Sequence, residues 1–267
     1  IGEALDIQHG IPDMGISSVR AGTYADCKDC DLIIITAGRN RKPGETRLDL
    51  IAGNSAILKN VVDQMKPHYT KGVIMIVSNP VDVLVYQCTK WMGLPNGMVF
   101  GTGCILDSSR FTRLIADYTH LNTEVVKATI VGEHGDAQIP IWSRASIAGV
   151  PLQEYCENVG LKWDEEIRKE ISDKVREMGA TIIKGKGRTH YGIATCVCYL
   201  AEAVLNQRLT IAPVSTMFQG EYGIEDVCLS VPSIIGVNGV EKRLEERWAE
   251  EEFQAFRQAA DKMKKVL

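Results

Sequence analysis

Asp31-Leu32-Ile33-Ile34-Ile35-Thr36-Ala37-Gly38 holds four apolar residues with no polar alternation, closed by small ones. A strand with one solvated face alternates in polarity, so an unbroken run of this length reads as a strand buried on both faces, as in a parallel sheet. Two more runs follow the same pattern, Gly72-Val73-Ile74-Met75-Ile76-Val77-Ser78-Asn79-Pro80 and Met98-Val99-Phe100-Gly101-Thr102-Gly103. Helical periodicity over 47–65 and 81–91 separates them. Strand, helix and strand in alternation predict right-handed crossovers within one parallel sheet. Ligands of such sheets sit beyond the carboxyl ends of the strands, and each run here ends in residues that let a ligand approach the backbone.

Beyond Asp107 the texture changes. A helix is predicted over 107–118, a strand over 125–131 and a charged helix over 165–184, interrupted by Gly185-Lys186-Gly187. Another helix follows over about 191–205. β-rich stretches at 210–218 and 227–237 flank Gly220-Glu221-Tyr222-Gly223, a hairpin signal. The last helix, 249–265, carries acid in its first turn and base in its last, which complements the helix dipole. The fold class is therefore α/β: a doubly wound parallel-sheet nucleotide-binding domain over 1–103, then an α+β substrate domain over 104–267.

A doubly wound lobe normally opens with a strand, Gly-x-Gly-x-x-Gly and a helix. These 267 residues contain no such fingerprint and begin at Ile1 in a helix-like segment. The chain reads as the remainder of a longer protein whose first β-α-β unit would supply the middle of a 3-2-1-4-5-6 sheet. The run 31–38 is then expected to have an unpaired inner edge, and 17–23 to lack its neighbour.

Composition narrows the function classes. An apolar fraction of 45% over 267 residues supports two lobes with cores of their own. A net charge of −4, with Lys and Arg dispersed, argues against a nucleic-acid partner. The longest apolar runs are strand-sized, far short of the roughly 20 residues of a bilayer span. Eight irregularly spaced cysteines without a secretory signal fit reduced thiols and a cytoplasmic location. Cys27-Lys28-Asp29-Cys30 has no second pair at zinc spacing and reads as two free thiols, so no metal is expected.

The chemistry concentrates in Gly132-Glu133-His134-Gly135-Asp136, Leu106-Asp107-Ser108-Ser109-Arg110 and an arginine-studded loop over 38–49. Together they offer a proton donor and acceptor, a carboxylate to orient it, and arginines for an anionic substrate. Alone, a glycine-flanked His is an ordinary turn residue and Asp-x-x-Arg an ordinary solvated helix pair. The competing classes are a catalytically silent binding fragment, suggested by the missing fingerprint, and a thiol oxidoreductase using Cys27 and Cys30.

With Thr36-Ala37-Gly38, the run from Arg41 to Leu50, and Ser78-Asn79-Pro80-Val81-Asp82 added, the chain resembles the L-lactate/malate dehydrogenase family over essentially its whole length, most of all the bacterial L-lactate members. The resemblance implies reversible hydride transfer between NADH and a 2-keto acid. It makes His134 the acid/base, with Asp107 fixing its tautomer. Arg110 becomes the clamp on the substrate carboxylate, Arg47 the lid arginine that polarises the carbonyl, and Asn79 a hydrogen-bond partner of the same carbonyl. Gly38, Arg39, Val77, Ser78 and Asn79 would contact NAD, with Tyr24, Asn60 and Thr102 at weaker positions.

The resemblance also bears on substrate. The residue at Arg41 reads the substrate's far end; Arg there is a malate-enzyme trait, which keeps oxaloacetate and malate as the alternative. Glu45, Leu48 and Thr189 match lactate enzymes, with Thr189 in the substrate pocket. Arg41 drawn aside by Glu45, or solvated at the lid edge, would weaken its vote. Where sugar-bisphosphate-activated members carry an Arg and a His, this chain has Thr112 and Lys127, so that activation is not expected. A homo-oligomer, tetramer or dimer, is implied, its interface bordered by 107–120.

Overall fold

The computed structural model describes residues 1–13, 17–40 and 44–267, apart from the side chains of Asp13 and Arg47. Helix α1 (Gly2–Gly10) buries no residue. The segment 17–23 forms no strand; it is exposed except for the partly covered Val19, and with no ladder formed there its β propensity has nothing to act on. Strand β1 (Leu32–Ile35) pairs with β2 (Val73–Ile76), which pairs with β3 (Val99–Gly101), all parallel. Among the described residues β1 has a ladder only on its β2 side, and Ile34 is left 40% exposed.

Helix α2 (Arg47–Met65) joins β1 to β2. It starts at a reciprocal cap, Thr46 accepting the Asp49 N–H while Asp49 accepts that of Thr46, worth about 1 kcal/mol. Ile51, Leu58, Val62 and Met65 recur at helical spacing and are buried, the stripe that docks a crossover helix on its sheet. Helix α3 (Val81–Met92) joins β2 to β3 and is stopped by Gly93 in the left-handed region.

After β3 the chain enters α4 (Ile105–Thr119), whose buried Phe111, Ile115 and Ala116 face an apolar cluster. Full burial of each large side chain contributes roughly 1.5–3 kcal/mol. Two short strands follow, β4 (Val126–Lys127) and β5 (Ile130–Gly132), where a single strand over 125–131 was expected. The break has a physical cause, because hydroxyls of α4 take backbone groups that a continuous ladder would use. Ser108 Oγ accepts the Ile130 N–H at 2.9 Å, and Thr112 Oγ1 donates to the Ala128 carbonyl. Strand β5 pairs with β6 (Gln138–Pro140), while β4 pairs with β7 (Ser146–Ile147) and β7 with β8 (Val150–Pro151) in a separate small sheet.

Three helices come next: α5 (Leu152–Val159), α6 (Glu165–Lys186) and α7 (Tyr191–Leu205). The Asp164 side chain caps α6 by accepting the Ile167 N–H, and Gly187 ends it at positive φ. The long hairpin of β9 (Thr210–Gln219) and β10 (Glu225–Gly236) is then extended by β11 (Gly239–Arg243), and α8 (Glu250–Lys264) closes the chain.

The principal sheet runs β1-β2-β3-β9-β10-β5-β6. Strand β9 joins β3 antiparallel, with Gly101 opposite Ser215, so one sheet crosses from the strands of residues 1–103 into those of 104–267. All eight cysteines are free thiols. Among the described residues no cluster of His, Cys, Asp and Glu is arranged to hold a metal, and no helix is long and apolar enough to cross a membrane.

Candidate active site

The tails of the three parallel strands are laced together. The Val77 N–H bonds the Ile35 carbonyl and the Thr102 N–H that of Ile76, each at 3.0 Å. Ser78 Oγ donates to the Ala37 carbonyl at 2.7 Å. These tails floor a cleft of about 410 Å³ reached by Gly38, Arg39, Val77, Ser78, Asn79 and Thr102, all expected from the sequence. Gly38 permits the closeness, since a Cβ there would lie 3.2 Å from that of Ser78. Tyr24 and Asn60 do not line the cleft: Tyr24 packs against the apolar cluster between α2, α3 and the sheet, and Asn60 is exposed on α2.

The wall belongs to α4 and the loop between β5 and β6. Asp107 and Arg110, three residues apart, share one helix face, their side chains 4% and 14% exposed. The loop presents His134. Its ring Nδ1 lies 2.5 Å from Asp107 Oδ2, and a carboxylate only accepts, so Nδ1 carries the hydrogen and Nε2 is left for a ligand. Arg110 Nη1 donates to the other carboxylate oxygen at 3.1 Å. Burial of the imidazole works against its charged form, but the charge and hydrogen bond of Asp107, helped by Asp82, outweigh that burial and the repulsion of Arg110. The His134 pKa is therefore raised above the ordinary value.

On the floor side, Asn79 Oδ1 accepts the Val81 N–H at the start of α3, which leaves Nδ2 as the donor for a ligand. Across the cleft stand Thr189, between α6 and α7, and the α6 residues Arg176, Gly179 and Ile183. Arg176 also bonds Asp173 at 3.0 Å. Arg41 lies outside the described residues; so does the side chain of Arg47, whose backbone opens α2. Glu45, considered from the sequence as a partner for Arg41, bonds Arg39 at 2.6 Å. At the altered sugar-bisphosphate position, Thr112 is bonded to the Ala128 carbonyl, and neighbouring Arg113 is held by Asp117.

Sequence reasoning passed over several residues of this cleft, among them Arg176, Gly179 and Ile183 of α6 and one on α2. Asn54, 1% exposed, accepts the Arg39 N–H at 2.9 Å and donates to the carbonyls of Arg39 at 3.1 Å and Asn79 at 2.6 Å. It ties the chain after β1 to the turn after β2. The signal was there to read: a polar side chain on the same helical stripe as Ile51 and Leu58, where a buried amide must find partners.

Comparison with known proteins places this geometry. The family model for the lactate/malate dehydrogenase NAD binding domain matches residues 1–101, and that for the alpha/beta C-terminal domain of the same family matches 104–267. The L-lactate dehydrogenase of Thermoanaerobacterium saccharolyticum is 42% identical over 267 residues, all of this chain and 86% of its own length. That of Acetivibrio thermocellus is 38% identical over 266 residues, covering 100% of this chain and 84% of the relative. Among solved structures, the ligand-bound minor L-lactate dehydrogenase of Enterococcus mundtii superposes with a TM-score of 0.93 at 37% identity, covering 99% of this chain and 84% of the other.

Proposed function

The chain belongs to the lactate/malate dehydrogenase family, and from that premise we propose that it is an NAD-dependent L-lactate dehydrogenase, reducing pyruvate to L-lactate and running in reverse. The observation that carries the reading is the bonded pair of Asp107 and His134 in a cleft shared with Arg110, Asn79 and Thr189. Relatives named L-lactate dehydrogenase, aligned along the whole chain, favour pyruvate over oxaloacetate, and the malate alternative suggested by Arg41 gains no support from them.

In this reading protonated His134 donates from Nε2 to the ketone oxygen as the alcohol forms, and takes the proton back in lactate oxidation. Asp107 holds the Nδ1–H and stabilises the imidazolium. Arg110 binds the substrate carboxylate through guanidinium donors not used on Asp107, a planar fork that Lys lacks. Asn79 Nδ2 hydrogen-bonds the carbonyl, and Arg47 polarises it from the lid. Arg41 reads the substrate's far end, and Thr189 lines the substrate pocket.

The family's dinucleotide fits the cleft floor, where small side chains and open backbone leave room for a flat ring beside the strand ends. Gly38, Arg39, Val77, Ser78, Asn79 and Thr102 would hold its nicotinamide half. Tyr24 and Asn60, off the cleft wall, would meet only more distant parts. When bound, NADH supplies the hydride and NAD accepts it. Residues 1–103 are assigned to cofactor and 104–267 to substrate. A cytoplasmic homo-oligomer, bordered by 107–120, completes the proposal.

The test is the initial rate of NADH oxidation with pyruvate and with oxaloacetate, side by side. Faster turnover of pyruvate is expected; faster turnover of oxaloacetate would make Arg41 the governing residue and overturn the assignment.

A further inference from the structure

Asp82 ends the Ser78-Asn79-Pro80-Val81-Asp82 motif, yet the mechanism above gives it no task. It lies in the first turn of α3 and is 2% exposed. Removing a carboxylate from water is costly unless it is well bonded, so its setting is informative. Oδ2 accepts the backbone N–H of His134 at 2.8 Å, and Oδ1 accepts the hydroxyl of Ser215 at 2.6 Å. Ser215 is fully buried on β9, opposite Gly101 of β3.

His134 needs such an anchor. Gly132 before it is held in the β5 ladders, but Gly135 after it sits at φ +153, a conformation open to glycine, so beyond β5 the loop draws little stiffness from its own backbone. We propose that Asp82 is a positioning residue that pins the His134 backbone to α3 and β9 and backs the imidazole with a second carboxylate. This rests on His134 being the acid/base of the proposed reaction.

Among the described residues, the charged groups around His134 are Asp107 and Arg110 on α4, Asp82 on α3, its chain neighbours Glu133 and Asp136, and, lining the same cleft, Arg39 after β1 and Arg176 of α6. β9 contributes the neutral Ser215. Asp82 is among the groups that raise the His134 pKa, after Asp107. It therefore acts on the acid/base twice, through the position of its backbone and through the field at its ring.

Two variants separate these actions. In Asp82→Asn the amide oxygen still accepts the His134 N–H while the NH₂ donates to Ser215, keeping the pin and losing the charge. In Asp82→Ala both are lost. The first readout is the NMR titration of the His134 ring, identified among five histidines by its disappearance in His134→Gln. Its midpoint is expected to fall in Asp82→Asn, and the pH profiles of pyruvate reduction and lactate oxidation to move to lower pH together. Asp82→Ala is expected to lose on the order of 100-fold in kcat with a smaller change in KM, the cost of misplacing a reacting group.

A lowered plateau with unmoved midpoints in Asp82→Asn would mean Asp82 only holds the fold, and would overturn the proposal. Should neither variant fold, amide hydrogen exchange in the wild-type protein decides. The His134 N–H is expected to be protected despite its loop position, and free exchange would sink the pin. Absence of turnover with any 2-keto acid would refute the proposed function instead, and the ring titration would still judge Asp82.

Discussion

Asp107→Asn is the substitution whose consequence is best defined. The wild-type carboxylate accepts from two donors at once, His134 Nδ1 at 2.5 Å and Arg110 Nη1 at 3.1 Å, at a site 4% exposed. An amide of the same shape accepts with one arm and donates with the other, so one of the two neighbours meets an N–H in place of an oxygen. A hydrogen bond to a charged group contributes about 1.5–3 kcal/mol, which at about 1.4 kcal/mol per decade is roughly a 10- to 150-fold loss of kcat/KM for pyruvate. The charge goes too, and with it the main influence raising the His134 pKa. Pyruvate reduction needs the protonated ring, so its falling limb shifts to lower pH and the loss deepens as pH rises. The assay is steady-state NADH oxidation at saturating cofactor across the pH range, with circular dichroism to confirm the fold. A variant within about twofold of wild type at every pH, its midpoint unmoved, would refute the role of the pair.

Three further outcomes are expected. Arg110→Lys retains the charge and loses the fork, raising KM for pyruvate by roughly 10- to 100-fold with kcat less affected; an unchanged KM would remove Arg110 from carboxylate binding. Asn54→Ala strands the backbone groups of Arg39 and Asn79, costing about 1–3 kcal/mol in urea unfolding and raising KM for NADH; normal stability and KM together would make the Asn54 bracket inconsequential. The raised His134 pKa makes its stabilising contribution full below the ordinary histidine value of about 6.5 and lost as pH rises through the folded-state value. The stability gap between wild type and His134→Gln should therefore be widest below about pH 6.5 and narrow as the pH rises above it, and a constant gap would contradict the coupling.

The parallel strands and their crossover helices were legible because both signals are local. Unbroken apolar runs mark doubly buried strands, and Ile51, Leu58, Val62 and Met65 mark the helix between the first two. The join of β9 to β3 was not, since nothing near Thr210 reports which edge in the other half it meets. Ser108 and Thr112 could not be seen to split the 125–131 strand, because a hydroxyl reaching a strand from a helix leaves no periodic trace. In the site, Asp107, Arg110 and His134 were found by residue type and order, and the fold then brought two separated motifs to bonding distance. Asn54 escaped because its partners are backbone groups, which carry no residue identity to search for, and Asp82 because one partner is the backbone of His134 and the other, Ser215, stands 133 residues away on β9.

The sheet shared by both halves also has a mechanical meaning. Gly101 faces Ser215 across the β3–β9 seam, and the Val240 N–H bonds the Gly97 carbonyl beside it at 3.0 Å. A Cβ on Gly97 would lie 2.0 Å from the Val240 oxygen, so the seam is packed at backbone contact. Such a seam works against hinge rotation, and the two halves are expected to move as one plate. Gating is then expected in what rides on the rim: the lid expected over 38–49 and α6, whose Arg176, Gly179 and Ile183 line the same cleft as His134. Small-angle scattering should register no change of overall dimensions on ligand binding, while hydrogen exchange slows along that rim. Turnover limited by product escape would thus be tuned by helix-surface substitutions far from the reacting atoms, with the plate itself indifferent to them.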